Sequence, residues 1–208
     1  MLTPEIIEAN KKEFIELVKS INRNGMQTDA LINKLESSDF FYAPASAKYH
    51  GAYEGGLCQH SLNVYYNLRT LVNAKQIEQI TEDSVKIVSL FHDISKMNLY
   101  EKTSRNVKVY SDTGSKSDEL GRYEWQVELS YKKKDTPQQF LFGTHGENSN
   151  LMISYFIPLL LDESAAIINH HSNYDNPNLN ITAIYNRYSL ACLLHLADML
   201  ATYVDEKV

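Results

Sequence analysis

Ser-Leu-Phe-His-Asp-Ile-Ser-Lys, residues 89–96, places an adjacent imidazole and carboxylate, His92 and Asp93, at the end of an apolar run. A lysine, Lys96, follows in the same segment. The run predicts a helix with a rigid buried side, because apolar side chains recur at helical spacing: Val85, Val88 and Phe91 or Ile94. A metal-binding pair needs such support, so this stretch predicts half of a metal site.

Other side chains of metal-ligating type lie far apart along the chain. They are His60, His145, His170, His171 and Asp198. Asp198 falls on the apolar stripe of a predicted helix, where a carboxylate is costly unless it is paired or metal-bound. His195 lies one turn earlier, and we expect it either to support a ligand or to lie at the surface, rather than to bind metal. Imidazole and carboxylate without thiolate suit one or two divalent ions, among them Mn, Fe, Ni, Co, Zn or Mg.

Length and composition predict one domain, and the expected lack of a membrane span and of a signal sequence predicts a cytoplasmic protein. The 208 residues are 43% apolar, which is enough for a single well-buried core. We expect no membrane span and no signal sequence, because no apolar run approaches the required length and the N-terminus is not basic. The net charge of −6 argues against a broad electropositive surface, so a small substrate is favoured over a long polymer.

Apolar periodicity predicts a mainly α-helical fold interrupted once by strands. Thr3-Pro4-Glu5 and Thr81-Glu82-Asp83 are typical of helix starts. Predicted helices begin at Pro4 and then cover about residues 28–36, 58–74, 82–93, 147–158, 162–170 and 186–204. The domain spans residues 1–208, with N-terminal helices at 1–38 and a β-hairpin insertion at 106–131.

Strict alternation marks the predicted hairpin, and the apolar positions of its second strand are Tyr123, Trp125, Val127, Leu129 and Tyr131. Val107 and Val109 belong to the partner strand. The polar connector 111–122 is long for a hairpin and is expected to be mobile. The residues leave three roles open for this insertion: a lid, a contact in a homo-oligomer, or a plain surface hairpin.

The order His, His-Asp, His, His-His and Asp resembles the HD-domain superfamily of metal-dependent phosphohydrolases. It is most similar to the branch with an extended histidine set, which includes the HD domain of 3′–5′ exoribonucleases, the HD-GYP phosphodiesterases and the CRISPR-associated HD nucleases. The run Tyr53-Glu54-Gly55-Gly56-Leu57, followed by His60-Ser61, looks most like the exoribonuclease version. The resemblance covers about residues 40–205 and implies an HD-domain helical bundle with the β-hairpin inserted.

The resemblance also implies a ligand set. A first metal would be held by His60, His92, Asp93 and Asp198, and a second by His145, His170 and His171, with Asp93 as the bridge. Lys96 matches the lysine of the family's His-Asp-x-Gly-Lys pattern, which implies a catalytic role: its ammonium would contact only the substrate phosphate and neutralise the charge that builds there in the transition state. Ser95 stands where the family has glycine. The HD-GYP signature is absent, and we expect no room for the separate oligonucleotide-binding domain of the exoribonucleases, so neither cyclic-dinucleotide nor RNA specificity is carried over.

Three further residues are candidates for substrate binding. Lys48 and His50 lie in an irregular aromatic segment, 39–56, and either contact a phosphate or base or lie exposed on a loop. Glu147 either orients a ligand or water or serves as an ordinary helix-start acid. We therefore predict a metal-dependent phosphohydrolase or phosphodiesterase acting on a nucleotide or short single-stranded nucleic acid. The alternative is a sensor that binds metal and nucleotide without turnover.

Overall fold

The computed structural model describes residues 2–135, 143–174 and 176–206. Within this part of the chain the fold is mainly α-helical, with eight α-helices and a small antiparallel sheet. The helices are α1 (Pro4–Lys19), α2 (Thr28–Glu36), α3 (Gly56–Lys75), α4 (Glu82–Phe91), α5 (His145–Ser154), α6 (Leu161–Ile168), α7 (Ile181–Arg187) and α8 (Ser189–Leu200).

The predicted helix starts of α1 and α4 are confirmed. Thr3 precedes α1 and its side chain accepts a hydrogen bond from the Ile6 amide, and Thr81 does the same for the Ser84 amide at the start of α4. These hydroxyls satisfy amides that have no partner inside the helix. The sequence alone therefore predicted where α4, the helix that precedes His92, begins.

Helix α3 lies at the centre and packs against α1, α4 and α8. An aromatic cluster fixes the end of α4: the Phe91 ring lies 5.8 Å from that of Phe14, which also packs 5.0 Å from Phe40. All three side chains are fully buried. Since such close packing resists movement, the residues directly after Phe91 start from a rigid position.

The long helix predicted over 186–204 is wrong in its bounds. Tyr188 has an extended conformation, φ −126° and ψ 87°, and separates α7 from α8. After Leu200 the chain continues in a wide π-helical turn, Ala201–Asp205. The apolar stripe was a correct guide to the buried face of α8, but apolar spacing does not reveal a break between two helices that pack on one core.

The predicted hairpin is confirmed and is longer than expected. Strand β1 (Tyr100–Tyr110) pairs antiparallel with β3 (Gly121–Lys133), and a short strand, β2 (Lys116–Asp118), pairs with the other edge of β3. The connector predicted as a mobile loop thus contains a strand. Val107 lies opposite Gln126, so it is on the other face of the sheet from Trp125 and Val127.

The prediction of a half-buried strand holds only at the ends of β3. Tyr123 and Tyr131 are buried, whereas Trp125, Val127 and Leu129 between them are exposed. The sheet packs on the helical body at its base, where Tyr131 joins Tyr100 and Leu99 in a small cluster. Alternation indicates a two-faced strand, but it cannot show that the middle of the strand projects beyond the core. Among the described residues, no helix has the length and apolar character needed to cross a membrane.

Candidate metal centre

Five separate segments deliver the predicted ligands to one place, two of which are the start of α5, with His145, and the residues after α6, with His170 and His171. His60 lies on α3, His92 directly follows α4, and Asp198 lies on α8. The start of α3 requires glycine, because a Cβ on Gly56 would come within 2.0 Å of the Gly51 carbonyl oxygen. This close approach joins the aromatic segment, which contains Gly51, to the first turn of α3, the helix that carries His60.

The first group of ligands is fully buried. His60 Nε2 lies 3.3 Å from His92 Nε2 and 3.1 Å from Asp198 Oδ1. Asp93 Oδ2 lies 3.5 Å from His92 Nε2 and 3.8 Å from His60 Nε2. These are the four residues that the resemblance assigned to a first metal, and His60, His92 and Asp93 offer atoms close enough together to hold one ion.

The second group lies on the other side of Asp93. His145 Nε2 and His170 Nε2 are 2.9 Å apart, and they lie 3.5 and 3.6 Å from Asp93 Oδ1. His171 completes a set of three imidazoles whose nitrogens could hold an ion. Asp93 therefore directs one carboxylate oxygen to each group, the arrangement expected of a bridging ligand.

Asp198 also spans the two groups, which the sequence did not predict. Its Oδ1 faces His60, and its Oδ2 lies 3.7 Å from His171 Nε2. Two carboxylates, Asp93 and Asp198, therefore lie between the histidine sets. Each would offset the positive charge that a pair of divalent ions brings to a buried position.

Backbone contacts fix which imidazole nitrogen faces inward. His92 Nδ1 lies 2.8 Å from the Ser89 carbonyl oxygen, and His170 Nδ1 lies 2.7 Å from that of Ile167. Because a carbonyl oxygen only accepts a hydrogen bond, both Nδ1 atoms carry a proton. In a neutral ring the other nitrogen, Nε2, then carries a lone pair. The lone pairs point into a cluster that also holds Asp93 Oδ1, a buried oxygen without a hydrogen-bond partner among the described residues. These inward-facing atoms all offer electron pairs, so they can bind a cation but would repel a further hydrogen-bond acceptor.

Burial and charge act on the same groups. Burial lowers the pKa of His92 to about 3, which keeps its ring neutral. Burial opposes ionisation of Asp93, yet the Lys96 ammonium and the surrounding imidazoles outweigh it and hold the pKa of that carboxyl well below its usual range. Neutral imidazole and ionised carboxylate are the protonation states that bind metal.

Glu206 is a functional candidate that the sequence did not reveal. Its Oε1 accepts a hydrogen bond from His60 Nδ1 at 2.9 Å, and its side chain is buried. Burial opposes the charged form of His60, but the hydrogen bonds to Asp198 and Glu206 outweigh it and raise its pKa to about 10. The two residues are far apart in sequence, and an acid near the C-terminus carries no signal of its own.

Lys96 occupies a different position from the one predicted. Its Nζ lies 2.6 Å from Asp93 Oδ2, and the side chain is buried. The expectation that Lys96 contacts only a phosphate is therefore wrong, because a buried ammonium needs a counter-charge and Asp93 supplies it. Ser95, in the place of the family's glycine, donates to the His145 carbonyl oxygen and contacts Ser149, so it ties the segment after Asp93 to α5.

Of the three predicted substrate residues, two lie at the cavity beside the centre and one does not. Lys48 and His50 line that cavity, and the His50 ring packs 4.8 Å from the His60 ring. Glu147 instead accepts a hydrogen bond from the Thr144 amide and completes a capping box at the start of α5. The helix-start interpretation of Glu147 is correct, since the four-residue spacing of a capping box accounts for its contacts.

His195 supports the centre indirectly, as expected. Its Nδ1 lies 2.5 Å from the His170 carbonyl oxygen, so it contacts the backbone of a candidate ligand. The cavity that it borders measures about 1410 Å³ and reaches His171, Asp198 and Glu206. Six tyrosines line its walls: Tyr42, Tyr49, Tyr53, Tyr131, Tyr174 and Tyr203.

Comparison of the chain with protein-family models, with curated proteins and with solved structures gave no match. The functional argument therefore depends on the geometry of the centre and of its cavity.

Proposed function

We propose that this protein is a cytoplasmic, metal-dependent phosphohydrolase with an HD-type helical domain. The observation that carries the proposal is the position of Asp93, whose two oxygens face two separate sets of imidazoles. A single structural ion pair would need only one of these partners. Two sets of inward-facing nitrogens on one carboxylate favour a centre for two divalent ions.

The chain's own residues would hold two ions and would orient the rings that bind them. His60, His92, Asp93 and Asp198 would hold one ion, and His145, His170 and His171 would hold the other. Backbone carbonyls hold the rings of His92 and His170 in a fixed orientation, so the centre needs little reorganisation. When bound, such ions lower the pKa of water toward neutrality and stabilise charge on phosphoryl oxygens.

The cavity supports a nucleotide or short single-stranded oligonucleotide as the substrate. Its tyrosines offer aromatic faces on which bases stack, and stacking is tolerant of sequence. Lys48 and Arg105 also lie on these walls, outside the buried centre, and Arg105 pairs with Glu128 at 3.4 Å. The volume exceeds that of an ordinary small-ligand pocket, which is roughly 300 to 1,000 Å³.

The test is a hydrolysis screen of the purified protein. Mn²⁺, Mg²⁺, Ni²⁺, Co²⁺ and Zn²⁺ are each combined with nucleoside mono- and triphosphates, cyclic dinucleotides and short single strands, and Asp93→Asn is the inactive control. We expect hydrolysis by the parent above a metal-only blank, together with bound metal by elemental analysis. Tight nucleotide binding without hydrolysis would instead establish the sensor function, and absence of bound metal would refute both.

A further inference from the structure

A chain of three side-chain amides leads from α1 to the carboxylate that contacts His60. Asn10 Nδ2 donates to Gln59 Oε1 at 2.9 Å, and Gln59 Nε2 donates to Asn63 Oδ1 at 2.9 Å. Asn63 Nδ2 then donates to Glu206 Oε1 at 3.0 Å. Every donor points the same way, toward Glu206, and we call Asn10, Gln59 and Asn63 the amide chain.

The direction of these hydrogen bonds matters because the last acceptor is shared. Glu206 Oε1 accepts from Asn63 on one side and from His60 Nδ1 at 2.9 Å on the other. Aligned hydrogen bonds polarise one another, so the chain favours negative charge at its acceptor end. An acceptor that is fixed and charged holds one proton of His60 on Nδ1, so a cation that enters the centre displaces only the proton on Nε2, the nitrogen that faces Asp198.

The wide turn after α8 is what brings Glu206 to this place. Asp198 lies on α8 and faces His60 from one side, while Ala201–Asp205 forms the π-helical turn that precedes Glu206. The turn carries the chain back toward α3, so that Glu206 reaches the opposite nitrogen of the same ring. Glu206 is only 7% exposed, and burial of a carboxylate is costly unless hydrogen bonds compensate for it.

We propose that Glu206, held by the amide chain, is a positioning residue that fixes His60 for metal binding and links the N-terminal helix to the metal centre. The inference rests on the proposed function, because His60 is a ligand only if the centre binds metal. It also gives the buried Asn10 on α1 a role beyond packing. Neither Glu206 nor the amide chain belongs to the ligand pattern that led to the centre.

A neighbouring pair supplies a matched control. Asn67 lies one helical turn after Asn63 on α3, and its Nδ2 donates to Asp205 Oδ2 at 2.7 Å. This pair joins the same two elements with the same chemistry, but it is exposed and is not hydrogen-bonded to His60. Any loss of affinity that arises merely from loosening the C-terminal turn should therefore appear in the control as well.

The experiment measures the affinity of the chelator-stripped full chain for Zn²⁺ and Mn²⁺ by competition with a chromophoric chelator. Glu206→Ala should weaken binding about 10- to 100-fold, the usual loss on removing such a partner. Glu206→Gln keeps an acceptor for His60 and should lose less, and Asn63→Leu should lose a few-fold. Asn63→Leu combined with Glu206→Ala should bind no more weakly than Glu206→Ala, since the amide chain acts through Glu206.

Two further measurements separate positioning from a purely structural role. One is the unfolding of the metal-free variants, and the other is the nitrogen chemical shifts of His60 in the Zn²⁺-loaded protein. For Glu206→Ala and Asn63→Leu we expect a greater loss of metal affinity than for the controls, Asp205→Asn and Asn67→Leu. That loss should not follow the loss of unfolding free energy. Equal affinity in Glu206→Ala and the parent, or an equal loss in the control pair, would overturn the inference. A parent chain that binds no metal would overturn the proposed function and this inference with it, whereas metal binding without hydrolysis leaves the inference intact.

Discussion

Replacing Lys96 by methionine tests how the buried charge at the centre is balanced. Lys96 Nζ lies 2.6 Å from Asp93 Oδ2, and the two residues are 7% and 1% exposed. Methionine keeps the length and the apolar stem of lysine but removes the charge. Asp93 then remains as a buried carboxylate, with only imidazoles near it.

Breaking a buried ion pair by removing one partner typically costs about 3 to 5 kcal/mol. We expect the lower end, about 3 kcal/mol, because several imidazoles approach the same carboxylate and compensate in part. For a domain of this size that loss lowers Tm by about 6 to 12 °C. Divalent metal should restore most of it, since the ions would replace the ammonium as the positive charge beside Asp93.

The assay is thermal and urea unfolding of the parent and Lys96→Met, each with chelator and with saturating metal. Lys102→Met is the control, because Lys102 makes an ion pair of similar length, 2.8 Å, with Glu54 but is largely exposed. Exposed pairs contribute about 0 to 1 kcal/mol. If Lys96→Met in chelator loses no more stability than Lys102→Met, or if metal restores nothing, the account of the charge balance is refuted.

Chelation of the parent protein should lower its stability by about 2.7 kcal/mol relative to metal at a hundredfold excess over Kd, measured by urea unfolding; no change would argue against a metal centre. Glu163→Gln should cost on the order of 3 kcal/mol without weakening metal binding, because it breaks the ion pair, 2.6 Å long, that the buried Glu163 forms with the part-buried Arg23, and neither residue is a candidate ligand; a loss of metal affinity in this variant would contradict the expectation. The metal-free protein should be most stable near pH 6.5, measured as unfolding free energy against pH. His92, whose pKa falls to about 3, loses its contribution as pH drops below 6.5, and His60, whose pKa rises to about 10, loses its contribution as pH rises from 6.5 through 10. A curve that rises or falls steadily over that range would refute the assignment.

Three of the candidate ligands were marked by a local pattern, whereas the other four, His60, His145, His170 and His171, were assigned only by the resemblance to the HD-domain order. His92 and Asp93 follow an apolar helical stripe, and Asp198 interrupts another. A charge on an apolar stripe conflicts with burial unless a partner exists, so its presence indicates a site even in a single sequence. The hairpin was predictable for a similar reason, since strict alternation has no helical counterpart.

Contacts between distant segments could not be predicted. Glu206 meets His60 across most of the chain, and the amide chain joins α1, α3 and the C-terminal turn through side chains that look like ordinary surface residues. The partner of Lys96 was likewise hidden, because spacing along a helix does not say whether a lysine turns toward its own aspartate or toward a ligand. The exposure of Trp125 depends on how far the sheet projects, which strand periodicity does not contain.

Local patterns were enough to predict a mainly α-helical chain with a β-hairpin, the helix starts after Thr3 and Thr81, and the residue types that could bind metal. These properties depend on interactions within a few residues, which apolar spacing and capping chemistry report directly. The division of the ligands around Asp93, the contact of Asp198 with both sets and the contact of Glu206 with His60 became visible only in the folded structure. Those contacts depend on how α3, α4, α5, α6 and α8 pack against one another, and no local pattern encodes distances between elements that are remote in the chain.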